Sequence, residues 1–189
     1  MSCNFLYHSI NYTYVDYREY SKVLEEESKK YGWGCLLVVP EKFKEFLEIT
    51  KPKIHLDIGC HRGLLSGFVE KHSGAEYIGL DVWHYGAKIA VMASGDSLPF
   101  RSNSVDTISF IESLEHIPDY PSALRQSYNI CKKGIFIQSV ICYDKAALLD
   151  KTHFHVLHPE ALEKLLRFIG FRDIKHGLKK ATFWLYALK

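Results

Sequence analysis

The chain has 189 residues, a length that suits one domain with a substantial hydrophobic core. Its formal net charge of +2 gives no reason to expect a polyanionic partner, so nucleic-acid binding is not favoured. The five cysteines include no C-x-x-C pair, which argues against a disulfide framework or a zinc knuckle. The first residues are too polar for a signal peptide, and no apolar run approaches the roughly 20 residues of a membrane helix. A soluble cytoplasmic protein is therefore expected.

Residues 1–53 differ from the rest of the chain because they are rich in tyrosine and in charged residues. The segments "REYSKVLEEESKKYG" and "PEKFKEFLEITK" predict two helices, the second with its apolar residues on one face. No linker composition follows, so we expect a helical extension packed on a single domain. Its residues Tyr14, Tyr17 and Tyr20 suit a lid over a binding site, and packing on the outer helices of the sheet is the alternative.

From Ile54 onward, short apolar runs alternate with helical patterns. The predicted strands are "KIHLDIGC", "AEYIGLDV", "KIAVMASG", "VDTISFIES", "GIFIQSV", "FRDIKHG" and "TFWLYALK". The predicted helices are "LLSGFVEKH", "YPSALRQSYNIC" and "HPEALEKLLRFIGF". This alternation predicts an α/β fold, with helices on both faces of a mostly parallel sheet. The last two strands are separated only by "LKK" and predict an antiparallel hairpin.

The stretch "LDIGCHRG" places Gly59 and Gly63 where the first strand turns into a helix. Glycine permits the positive φ and the close ligand approach that such a turn needs, although a turn without a ligand gives the same pattern. Ligands of open parallel sheets bind at the carboxyl ends of the strands. Asp81 ends the second strand and can accept two ribose hydroxyls, and Asp96 follows the third strand, where it can accept an adenine amine.

Five motifs in this order resemble those of class I S-adenosylmethionine-dependent methyltransferases, in the small-molecule branch described as ubiquinone/menaquinone-biosynthesis-like. They are "LDIGCHRG", "GLDVW", "GDSLPF", "SVDTISFIESLEHIPD" and "HPEALEKLLRFIGF". The resemblance covers residues 54–175 and implies a Rossmann-like seven-stranded sheet with an antiparallel last strand. It also implies S-adenosyl-L-methionine as cofactor and S-adenosyl-L-homocysteine as product, bound by a domain of residues 54–189.

The sequence departs from the family pattern at two places. His61 replaces the middle glycine of D-x-G-x-G-x-G, where the outer glycines still shape the turn. Between Asp81 and Asp96, a short turn replaces the usual helix, which would leave Val82 and Trp83 as an apolar wall for the adenine. An ordinary core or surface aromatic is the alternative interpretation of Trp83.

The resemblance implies a set of cofactor contacts. They are Asp57, Gly59, Cys60 and Gly63 at the amino-acid end, Asp81 at the ribose, Val82, Trp83, Asp96 and the Ser97 backbone at the adenine, and Ile111 and Glu112 on the methionine side. For Asp57, the implied role is either support of the loop or a water-mediated contact with the ammonium group. For Glu112, a charge at the start of a helix is the alternative.

Methyl transfer needs a general base only when the acceptor must lose a proton. The stretch "DKTHFHVLHPE" supplies His153 as first candidate and His155 as second, with solvated loop histidines as the alternative. These two histidines and His158 could also form a metal site, because alternate residues of an extended segment share a face and imidazoles bind zinc and similar ions. We expect no metal to be bound there. We expect His116 to be structural.

Three other functions remain open. An RNA or protein methyltransferase is disfavoured because the loop after the fourth strand lacks "[DN]PP[YF]". A cofactor-binding partner subunit without catalysis stays open because of His61 and the shortened segment after Asp81. A nicotinamide-dependent dehydrogenase is the least favoured alternative, because the Asp96 motif plays no part in that class of enzyme. The acceptor, expected to be a small molecule, and the oligomeric state leave no signal in the sequence.

Overall fold

A seven-stranded sheet forms the centre of the computed structural model, which describes residues 38–84, 90–141 and 148–189. The strands are β1 (Ile54–Ile58), β2 (Glu76–Asp81), β3 (Val91–Met92), β4 (Val105–Ile111), β5 (Cys131–Val140), β6 (Arg172–Lys179) and β7 (Thr182–Leu188). The α-helices are α1 (Pro40–Thr50), α2 (Ser66–Ser73), α3 (Tyr120–Ile130) and α4 (Pro159–Ile169), and a 3₁₀ turn covers Leu114–His116.

The strand order is β3-β2-β1-β4-β5-β7-β6, with parallel pairing from β3 to β5. Strand β7 is antiparallel to both β5 and β6. The predicted α/β Rossmann-like sheet with an antiparallel last strand is thereby confirmed. The hairpin is tighter than "LKK" suggested, because β6 includes Lys179 and only Lys180 and Ala181 connect the two strands. Lys180 has a φ of 57°, as expected in a two-residue hairpin turn.

Two boundaries differ from the sequence-based prediction. The third strand has only two residues, Val91 and Met92. Strand β5 begins at Cys131, directly after α3 ends at Ile130, so no loop separates the two elements. The predicted short turn after Asp81 falls partly on residues 85–89, outside the described part of the chain.

Side chains of the strands alternate between two hydrophobic layers. On one face, Leu56 and Ile108 belong to the cluster that α3 and α4 cover. On the other face, Phe43 of α1 packs on Phe136 of β5 with ring centroids 4.9 Å apart. Burying such a ring stabilises the fold by about 1.5–3 kcal/mol, so α1 is part of the core of this sheet.

The division between an extension of residues 1–53 and a domain of residues 54–189 remains a prediction. Residues 1–37, which include the three tyrosines of the predicted lid, lie outside the described residues. None of the helices in the described ranges is both long enough and apolar enough to cross a membrane.

Candidate functional site

The glycine loop leaves β1 at the carboxyl edge of the sheet. Gly59 has a φ of 75° and Gly63 a φ of 65°, conformations that residues with a side chain rarely adopt. A Cβ atom on Gly59 would overlap the Cβ atom of Ser113, which follows β4. The N–H groups of Gly59 and Cys60 both donate to the carbonyl of Leu80, at 2.8 and 3.1 Å. The loop is therefore held between the ends of β2 and β4.

His61 fits this loop in spite of its side chain. Its φ is 49°, a left-handed conformation that costs a non-glycine residue about 1–2 kcal/mol. Its backbone N–H donates to Asp81 Oδ2 at 2.8 Å, which offsets part of that cost. Burial and the nearby Arg62 lower the pKa of the half-buried imidazole, so the ring is neutral at physiological pH.

Asp81 joins the glycine loop to the segment that follows β2. Its carboxylate accepts the His61 N–H and, at 3.3 Å, the Trp83 N–H. Burial raises the pKa of Asp81 to about 6, although hydrogen bonds from backbone N–H groups lower it. Val82 is half-buried next to it, and the Trp83 side chain is 39% exposed.

Asp57 lies inside the sheet, beneath the loop. Its Oδ2 accepts the Tyr77 hydroxyl and its Oδ1 the Ser109 hydroxyl, each at 2.7 Å. The Ser109 hydroxyl also lies 2.9 Å from His55 Nε2, so the network spans β1, β2 and β4. Burial raises the pKa of Asp57 to about 6, although the two hydroxyls lower it. These contacts fit support of the loop better than direct contact with a ligand.

Asp96 and Ser97 follow β3 in a turn that a glutamine of α3 fixes. Ser94 donates its hydroxyl to Asp96 Oδ1, and the Ser97 N–H donates to the Ser94 carbonyl at 3.0 Å. Gln126 donates to the Asp96 carbonyl at 2.6 Å and accepts the Leu98 N–H at 2.9 Å. The Ser97 amide, expected to meet an adenine nitrogen, is thus bonded within the turn.

Ile111 and Glu112 end β4 at the same edge. Ile111 is buried, and Glu112 has a φ of 49°. The Glu112 N–H donates to the Gln138 carbonyl at 2.8 Å, and its Oε1 accepts the Gln138 side-chain amide at 2.9 Å. Burial raises the pKa of the Glu112 carboxyl. Neither glutamine, Gln126 or Gln138, was identified from the sequence.

A cluster of ligand-type side chains lies beside Glu112. Atoms of Glu115, His116 and His153 that can bind a metal all lie within 4.8 Å of one another. His116 Nδ1 donates to the Thr152 carbonyl at 2.9 Å, which fixes the tautomer of the ring with its proton-free nitrogen at Nε2. Burial and the nearby His153 lower the pKa of His116 to about 4, so its ring is neutral at physiological pH.

Glu115 completes this cluster with a fully buried carboxylate. The groups that act on this carboxyl are the Ser139 hydroxyl, a backbone N–H and the Glu112 carboxyl. Burial raises the pKa of Glu115 well above the ordinary value, and Glu112 adds to this effect. Two imidazoles and a carboxylate form the donor set that zinc and similar divalent ions bind.

The structure separates the histidines that the sequence grouped together. His155 Nε2 donates to the Pro118 carbonyl at 2.8 Å, and His158 pairs with Glu160. Only His153 of the three reaches the cluster, where it meets His116. The sequence contained no local pattern that predicts this cluster, because Glu115 and His116 follow β4 whereas His153 follows β5.

Comparison with known families identifies the class of protein. A family model described as "Methyltransferase domain" matches residues 37–176. The chain therefore belongs to this family, and its sheet topology and motifs make it a member of the class I S-adenosylmethionine-dependent methyltransferases. S-adenosylmethionine is the cofactor of that class.

The individual relatives share only a low sequence identity with this chain. A ubiquinone biosynthesis O-methyltransferase of Nitrosospira multiformis is 32% identical over 93 residues, which cover 42% of this chain and 38% of the relative. The human mitochondrial arginine-hydroxylase NDUFAF5 is 30% identical over 132 residues, 58% of this chain and 38% of that protein. The chain thus spans well under half the length of these two relatives. A SAM-dependent methyltransferase of Archaeoglobus fulgidus shares the fold with a TM-score of 0.69 and 20% identity, over 90% of this chain and 100% of that one.

The contact between Gly59 and Ser113 yields the first prediction. Gly59→Ala should lower the free energy of unfolding in urea by more than the roughly 1–2 kcal/mol of left-handed strain, because the new methyl group also overlaps Ser113. His61→Gly is the control and should retain wild-type stability, since relief of strain offsets the greater chain entropy of unfolded glycine. Wild-type stability of Gly59→Ala would contradict the described loop.

The cluster yields the second prediction. Zn²⁺ should raise the melting temperature of the protein, by the equivalent of about 2.7 kcal/mol at a hundred times its dissociation constant. His153→Asn should abolish that shift, whereas the matched variant His158→Asn should keep it, because His158 lies outside the cluster. An equal shift in all three proteins would show that zinc binds elsewhere.

Proposed function

We propose that this protein transfers the methyl group of S-adenosylmethionine to a small-molecule acceptor. The observation that carries the proposal is the glycine loop, tied through His61 to Asp81 at the carboxyl ends of β1 and β2. An open parallel sheet binds its ligand at this edge. Membership of the methyltransferase-domain family supports the same reaction.

The proposed cofactor contacts follow the edge of the sheet. Backbone groups of Gly59, Cys60 and Gly63 would cradle the amino-acid end, with Asp57 supporting them from below. Asp81 would accept the ribose hydroxyls, because each carboxylate oxygen has a second lone pair beside the one its backbone bond uses.

The adenine and the methionine would lie on opposite sides of that loop. Val82 and Trp83 would cover the adenine, and Asp96 would accept its amine. The turn at Ser97 would shape the adenine side of the site without a hydrogen bond to the ring, since the Ser97 N–H already donates to the Ser94 carbonyl. Ile111 and Glu112 would line the methionine side.

The acceptor would enter near the loops that follow β4 and β5. His153 is the first candidate for the base, because its ring lies beside buried His116 and its Nε2 lies 3.8 Å from Asp150 Oδ2. His155 is second, since its Nε2 already donates to Pro118. A metal ion on His153 would occupy the nitrogen that a base needs, so zinc should inhibit the reaction.

A protein substrate is the second candidate. The human relative is named an arginine-hydroxylase, which makes arginine a substrate class to test here. The buried carboxyls of Glu112 and Glu115 would suit a guanidinium group in this chain. Methyl transfer to arginine peptides, without transfer to small phenols or catechols, would favour this candidate.

Cofactor binding yields the third prediction. Calorimetry should show binding of S-adenosylhomocysteine, and Asp81→Ala should weaken it about ten- to a hundredfold, through loss of hydrogen bonds to a charged acceptor. Circular dichroism of the variant controls for folding. Folded wild-type protein that binds neither S-adenosylmethionine nor S-adenosylhomocysteine would refute the proposed function.

The base yields the fourth prediction. With an acceptor found by screening phenols and catechols for methyl transfer, His153→Asn should lower kcat about 10²- to 10⁴-fold, the usual contribution of general-base catalysis. His155→Asn should have a smaller effect, and the affinity for S-adenosylhomocysteine should stay unchanged in both variants. Equal rates for His153→Asn and wild type would remove His153 from the mechanism.

A further inference from the structure

Gln138 is a polar residue in the middle of a buried strand. It lies on β5, pairs with Ile111 of β4 on one side and Trp184 of β7 on the other, and has no exposed surface. A primary amide in such a place is costly unless its oxygen and its N–H groups are bonded. The contacts of this amide therefore indicate why a glutamine is there.

The two ends of the Gln138 amide have different partners. Its Oε1 accepts the backbone N–H groups of Val38 and Val39, at 2.9 and 3.2 Å. Its Nε2 donates to Glu112 Oε1 at 2.9 Å. A reversed amide would set N–H against N–H and oxygen against a carboxylate, so these partners fix a single orientation.

Glu112 depends on Gln138 twice. Its backbone N–H donates to the Gln138 carbonyl at 2.8 Å, and its carboxylate accepts the Gln138 side chain. The φ of 49° is costly for a residue with a side chain, and it persists only where surrounding contacts enforce it. Gln138 thus contacts both the backbone and the carboxyl of Glu112, which also meets Glu115 and the Val140 backbone.

The oxygen of the Gln138 amide bonds to the backbone at the start of α1. Val39 is fully buried and precedes Pro40, the first residue of that helix. Through one side chain, the chain at residues 38 and 39 and the carboxylate at the end of β4 become a single hydrogen-bonded unit. Displacement of either part would break its own hydrogen bonds to this buried amide.

We infer that Gln138 is a positioning residue, which sets Glu112 against the amino-acid end of the bound cofactor. This inference rests on the proposed function, in which Glu112 lines the methionine side. In this assignment the contact with the cofactor is made by Glu112 and not by Gln138. Gln138 acts by holding the orientation of the Glu112 carboxylate, as Gln126 holds the turn at Asp96 on the adenine side.

Two ligands test this assignment by calorimetry. S-adenosylhomocysteine spans the whole cofactor site, and 5′-methylthioadenosine lacks the amino-acid end. Gln138→Met removes the side-chain hydrogen bond to Glu112 and should weaken S-adenosylhomocysteine about tenfold, with little effect on 5′-methylthioadenosine. Gln126→Met is the matched control and should weaken both ligands alike, because Gln126 holds the adenine side.

A second variant distinguishes the role of the Gln138 amide oxygen from that of its N–H groups. Gln138→Glu retains oxygen acceptors for Val38 and Val39 but places a carboxyl against Glu112, so it should reproduce the selective loss. In a double-mutant cycle, Gln138→Met should cost no further affinity once Glu112→Gln is present. Melting temperatures confirm that each variant is folded.

Three outcomes would overturn the inference. They are an equal loss for both ligands in Gln138→Met, an unchanged affinity for S-adenosylhomocysteine, and full additivity in the cycle. Failure of the proposed function would be recognised separately, because the wild-type protein would then bind neither ligand.

Discussion

The close approach of Gly59 to Ser113 is the constraint on which the site depends. Strands β1 and β4 are parallel neighbours, so the segments that follow them leave the sheet at one edge and side by side. Ser113 donates its hydroxyl to the Ile58 carbonyl at 2.7 Å, which holds the two segments together. Only a residue without Cβ lets the first loop pass, and the loop then lies within reach of Asp81.

The polar network beneath the loop sets its electrostatics. Burial lowers the pKa of His55 to about 3, so this ring is neutral, and it raises the pKa of Asp57 to about 6. A carboxyl whose pKa is raised by folding contributes stability below its unfolded value near 4, and this contribution is lost as pH rises through about 6. At neutral pH the fold therefore carries ionised Asp57 at a cost, which is a common feature of functional sites.

Local patterns were sufficient to predict much of this molecule. The alternation of strands and helices, the turn at Gly59 and the position of Asp81 all depend on residues that are neighbours along the chain. The grouping of Glu115 with His153 depends instead on loop packing, in which the Phe154 N–H donates to the Glu115 carbonyl at 3.0 Å. A single signal was available for Gln138, which is the largest polar residue within the mostly apolar run "GIFIQSV". Its partners at residues 38 and 39 lie about a hundred positions away.

The direct junction between α3 and β5 has a mechanical consequence. Gln126 lies on the helix and Gln138 on the strand, and no flexible residue stands between Ile130 and Cys131. The two amides that we propose to hold opposite sides of the site therefore lie on directly consecutive elements of the chain. A displacement of the helix therefore reaches the strand without an intervening loop to absorb it.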